Sequence, residues 1–157
     1  MHTHHWYLVT FIFAIVGAVF IVSEFGRAGE SFEAARSAYQ GVSEVNAALI
    51  QSLPSDLAVS GNQGAALRGP IEAAVLRGRD ALARLKASAN WWNRLGNGQA
   101  ADFIAAAEKE QKYSEQLAET LSALLRTPES EWSAGIWKMR GLGGEYNKIH
   151  AEILAVK

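Results

Sequence analysis

Histidine is scarce in this 157-residue chain, and its placement limits the metal and acid–base chemistry open to it. Four occur, His2, His4, His5 and His150, and there is no cysteine. A carboxylate-bridged di-iron bundle needs a Glu on each of two helices and Glu-x-x-His on the other two. Three residues before His150 stands Asn147, and the nearest preceding carboxylate, Glu145, is five positions away. Disulfides, thiolate sites and covalent haem all require Cys. Non-covalent haem held by His150 and Met139 fails as well, because eleven residues of one helix separate them by ~16 Å. A Ser-His-Asp relay could be assembled only around His150, and nothing marks a nucleophile. No glycine-rich phosphate loop follows a strand.

His150 therefore reads as a surface or boundary residue of the last helix. Residues 1–6 concentrate the other imidazoles, a composition that suits copper, nickel or zinc, but no carboxylate lies near to orient them. The sequence assigns no catalytic, cofactor-binding or metal residue, and it points to a non-enzymatic protein.

The elements around these residues begin with a membrane span. Residues 7–22 (YLVTFIFAIVGAVFIV) carry no charge. With Trp6 and Ser23 the run reaches about eighteen residues, or ~27 Å of helix, the short end of what crosses a bilayer core. A cleaved signal peptide would want a basic leader and a small-x-small site. The leader has no Lys or Arg, and the best site, Gly26-Arg27-Ala28, has arginine at its centre. The reading is a single-pass anchor over residues 7–23 in the cell membrane. Arg27 and Arg36 alone do not choose the side on which the rest resides.

Residues 24–157 form the remaining domain. Fifteen basic against sixteen acidic residues leave a net charge of −1, so no global field recruits nucleic acid. Apolar spacing of three and four predicts four helices. The first carries Phe32, Ala35, Tyr39, Val42, Val45, Leu49 and Leu53 and ends at Pro54. A long loop, 54–69, follows, and Pro70 suits the first turn of the second helix. That helix carries Ile71, Val75, Gly78, Leu82, Leu85, Ala89 and Trp92, and Gly96-Asn97-Gly98 stops it. The third runs from about residue 100 to 126, with Phe103, Ala107, Leu117, Leu121 and Leu124 on one face. Its middle is weak, because Glu110, Gln111 and Ser114 fall where apolar residues belong. Thr127-Pro128 reads as an N-cap and first helical position. The fourth helix carries Trp132, Ile136, Met139, Leu142, Tyr146, Ile149 and Ile153, with Gly141, Gly143 and Gly144 kinking it.

Four such stripes specify an all-α, antiparallel up-down-up-down bundle behind the anchor. Its second helix would return to the lipid surface and end at Trp91, Trp92 and Arg94, an aromatic and cationic tip suited to headgroups. Trp91 and Trp137 lie off the core stripes and are candidate membrane or partner contacts. The cations of the second helix face acidic residues on its neighbours, so charge pairing accounts for them. In outline, a short span followed by a helical domain is similar to the layout of LemA-type membrane proteins. The four helices look like those of the extracytoplasmic ligand-binding domains of chemoreceptors. No motif residue carries over from either.

The functional expectation is an accessory or scaffold subunit that docks a helical bundle onto a larger membrane complex. The alternative is a tethered ligand-binding, sensor-like domain with a pocket near Glu110, Ser114, Gly141 and Gly143.

Overall fold

The computed structural model describes residues 31–53, 61–89 and 98–156. The tail, the anchor over 7–23 and the tip bearing Trp91, Trp92 and Arg94 lie outside them. Among the described residues four α-helices occur and no strand: α1 (31–53), α2 (Gly61–Ser88), α3 (Gly98–Leu124) and α4 (Trp132–Ala155). A single 3-10 turn, Glu129–Glu131, leads into α4. None of these helices is long and apolar enough to cross a membrane.

Two apolar clusters show how the helices run. One joins Phe32 and Tyr39 of α1, Leu82 and Leu85 of α2, Phe103 and Ala107 of α3, and Ile149 and Ile153 of α4. The other joins Ile50 and Leu53, Ile71, Leu117 and Leu121, and Met139 and Tyr146. The start of α1 thus meets the end of α2, the start of α3 and the end of α4, which is the pattern of antiparallel neighbours.

Two boundaries differ from the sequence reading. Helix α2 starts at Gly61, not Pro70, and carries the proline in its interior. An interior proline removes one ladder hydrogen bond. Here Ala66 and Pro70 are both exposed, so water can satisfy the freed carbonyl. The Arg68–Glu72 pair at 2.8 Å spans the site, and Leu67 packs on the second cluster. Helix α4 begins at Trp132 rather than beside Thr127. The Thr127 hydroxyl donates backwards to the Leu124 carbonyl at 2.8 Å, closing α3 instead of capping α4. The three glycines leave α4 one assigned helix through to Ala155.

The third difference is rotational. Helix α1 buries Ser43 and Asn46, while Val42 is half-exposed and Val45 is 59% exposed. The expected stripe through Val42, Val45 and Leu49 is turned aside in favour of two polar residues. The cause is on α3, where Glu110, Gln111 and Ser114 face inward and need partners.

Candidate functional site: a buried polar layer

Between the two apolar clusters lies a layer of polar side chains drawn from α1, α3 and α4, closed on the α2 side by Gly78. Glu110 is its centre and is only 2% exposed. Its Oε2 accepts from the Tyr39 hydroxyl at 2.8 Å, and Tyr39 has a second acceptor in the Ala107 carbonyl at 3.0 Å. Its Oε1 pairs closely with the Ser43 hydroxyl. Ser43 Oγ also lies 2.7 Å from His150 Nδ1, which is 3.4 Å from Glu110 Oε1. The Tyr146 hydroxyl donates to the Ser43 carbonyl at 3.5 Å.

Burial sets the electrostatics. It pushes the Tyr39 hydroxyl far above the ordinary phenol range, and the charge of Glu110 pushes in the same direction. Tyr146 is raised by the same two causes in the same order, partly offset by hydrogen bonds with Ser43 and Ser114. Both phenols remain neutral donors at physiological pH.

The α2 side of the layer is built around one glycine. A Cβ at Gly78 would collide with Gln111 Oε1 and touch Asn46 Nδ2. That vacancy lets two amides reach the helix backbone. Asn46 Nδ2 donates to the Ala74 carbonyl at 3.0 Å, and Gln111 Nε2 to the Val75 carbonyl at 3.1 Å. Arg77 closes the rim on Asn46 Oδ1 at 3.3 Å. Every fully buried side-chain nitrogen and oxygen among the described residues has a partner.

The ligand pocket expected near Glu110, Ser114, Gly141 and Gly143 is not assembled. Glu110 and Ser114 sit inside this network, Gly143 backs onto Ile50, and Gly141 opens to solvent. Nor does the Ser43, His150 and Glu110 trio match a hydrolytic relay. Such a relay places serine and carboxylate on opposite ring nitrogens, whereas both address Nδ1 here, and Ser43 is 2% exposed. His150 is the half-buried boundary residue its position implied, with Nδ1 turned inward to Ser43 and Glu110. No group of three or more metal-ligating side chains occurs among the described residues.

Outside the core, the basic residues of α2 pair with α3 as their charges implied. Arg79 meets Glu115 at 2.7 Å and Lys86 meets Glu108 at 2.5 Å. Trp137 is 70% exposed on α4, with the Arg140 guanidinium 5.4 Å from its ring centre. Shallow grooves mark the helix boundaries. The one between α1 and α2 is lined by Ala38, Val42, Arg77 and Arg84 among others.

Fold and site together define a four-helix bundle with a saturated polar layer. Compared with known proteins, the chain matches no family, no curated protein and no solved structure.

Proposed function

We propose that this chain is a non-enzymatic accessory subunit, held in the cell membrane by residues 7–23, that docks its helical bundle onto a larger membrane protein complex. The observation that carries the reading is Trp137, a large ring left 70% exposed on an otherwise regular helix. Rings of this size, paired with arginine, are over-represented where one protein grips another. Because α1 follows the proposed span, the end of the bundle where α4 starts faces away from lipid. Trp137 and Arg140 then meet a soluble part of the partner, while Trp91, Trp92 and Arg94 meet headgroups or the partner's membrane region.

A photoreactive phenylalanine analogue at position 137, introduced into the full chain in its native membrane, tests this. One discrete protein adduct is expected from position 137 and none from a control at Lys112, an exposed residue of α3. Lipid adducts alone, or equal adducts from both positions, would refute docking through this face. Release of the chain by carbonate washing would refute the anchor.

A further inference from the structure

We propose that the outer face of α1 is a dimer interface, closed by the same face of a second copy of this chain running parallel to it. The inference goes beyond docking through Trp137, and only the parallel direction rests on the proposed anchor.

Helix α1 has three charged residues, Glu33, Arg36 and Glu44. With ~100° between successive residues, all three fall on the flank of Gln40 and Gln51, whose amides bond Ile153 and Asn147 of α4. The rest of the outward surface, an arc of ~160°, holds no charge. Along its middle Ala34, Ala38, Gly41, Val45, Ala48 and Ser52 recur at steps of four and three, and all six are exposed. Val45, at the centre, is 59% exposed, and Val42 and Leu49 lie half-buried beside it. A solvated helix face carries charge, as α2 does with Arg68, Arg79 and Lys86. An uncharged seam with this spacing is what one helix presents to another. A Cβ at Gly41 would meet nothing within 4 Å. This glycine therefore serves no contact inside the bundle and leaves room for a second backbone to approach.

Three observations select a second copy as the occupant. The face is uncharged, so two copies can apply it to each other across a two-fold axis without opposing like charges. Copies anchored by residues 7–23 in one bilayer share a direction, so their α1 helices meet parallel and at equal height. The charges beside the seam are then complementary. Asn46 bonds Ala74 of α2 and touches the position of Gly78, which sets Glu44 level with the turn of α2 that carries Arg77. Within one chain these two charges are on opposite sides of α1. Arg77 lines the groove between α1 and α2, while Glu44 lies on the α4 side with no partner among the described residues. A two-fold axis along the seam carries the partner's α2 round to the α4 side of α1. The partner's Arg77 then faces Glu44, and the pair occurs twice per dimer.

Because the chain has no cysteine, single cysteines introduced into the full chain in its native membrane test the geometry. Val45→Cys and Ala38→Cys should each form a disulfide-linked pair on mild oxidation. Leu76→Cys, on a residue 57% exposed on α2, should not. Val45→Glu should turn the dimer into monomer in detergent sedimentation while leaving helix content unchanged. Glu44→Arg and Arg77→Glu should each lower the dimer fraction, and combining them should restore it. No self-link at residue 45, an equal yield at residue 76, or a link from residue 45 to a different protein would overturn the interface. A link between Ala38→Cys and Ser52→Cys chains, with no Ala38→Cys self-link, would overturn the parallel pairing. Self-links at both 38 and 45 that persist in a chain released by carbonate washing would sustain the dimer and remove the anchor alone.

Discussion

The polar layer and the apolar clusters on either side of it hold the same four helices by different means. In the cluster around Phe103, fully buried Leu85, Ala107 and Ile153 fill space with groups that have no preferred direction. Such packing depends on volume and tolerates repacking of similar shapes. In the layer, each contact has a donor, an acceptor and a length. Glu110 fixes α3 against α1 and α4 through Tyr39, Ser43 and His150, while Asn46 and Gln111 reach the backbone of α2 beside Gly78. Sliding any helix by one residue would leave several of these groups buried without partners. The apolar clusters should therefore contribute most of the stability, and the layer should fix the register.

The largest expected effect belongs to the clusters. Phe103→Ala removes a fully buried ring and should cost ~3–5 kcal/mol in urea unfolding of the full chain. A cost below ~1 kcal/mol would show that the cluster collapses around the loss and does not carry the fold. Glu110→Leu tests the layer. It keeps a similar volume but takes away the acceptor of Tyr39 and Ser43, each of which keeps one alternative, the Ala107 carbonyl and His150 Nδ1. The expected cost is ~1–3 kcal/mol. Adding Ser43→Ala should cost less in that background than alone, because the two residues share one network. Strict additivity would mean the layer is a set of separate contacts and cannot set register as a unit.

Helix existence was legible in the sequence because most of the bundle obeys the apolar period. Phe32, Tyr39, Leu82, Leu85, Leu117, Leu121, Met139 and Ile153 are all buried where the spacing put them. The layer was half legible. Glu110, Gln111 and Ser114 could be seen to interrupt the stripe of α3, but a hydropathy pattern reads such residues as a weak face and not as a demand for partners. The reply to that demand was hidden on α1. Val42 and Val45 fit the apolar period, yet Ser43 and Asn46 are the residues buried, since only they can satisfy the groups opposite. A search for buried polar residues at matching heights on neighbouring helices would have found the layer. The start of α2 is obscured for a different reason: proline suits a first helical turn, yet an exposed face tolerates it inside a helix.

Glycines separate the two kinds of packing more finely. Gly144 sits on the open face of α4 with nothing near its missing side chain, so Gly144→Ala should stabilise by ~0.5–1 kcal/mol through helix propensity alone. Gly78→Ala has the same propensity gain but drives Gln111 off the Val75 carbonyl. It should destabilise by up to ~1 kcal/mol. Thermal midpoints that rise equally for both variants would mean Gln111 finds another partner at no cost, and that the α2 side of the layer is not fixed.

The smallest effect lies outside both regions, on the α2–α3 surface. The guanidinium of Arg79, then the amide of Gln111, hold the Glu115 carboxyl below its ordinary range. A carboxyl lowered on folding adds stability above its unfolded value and loses it as pH falls through the folded one. Acidification from pH 6 to 3 should therefore remove the contribution of Glu115. Its side chain is 37% exposed and that of Arg79 60%, so solvent screens the pair. The contribution should be ~0.2–0.5 kcal/mol, further reduced by salt. It is read as the acid-induced loss of stability in wild type minus that in Glu115→Gln, at low and high ionic strength. Gln111 links this surface pair to the layer, donating to both Val75 and Glu115 through one nitrogen. A salt-insensitive difference well above ~0.5 kcal/mol would therefore mean that Glu115 acts by anchoring Gln111, and that the layer extends to the surface.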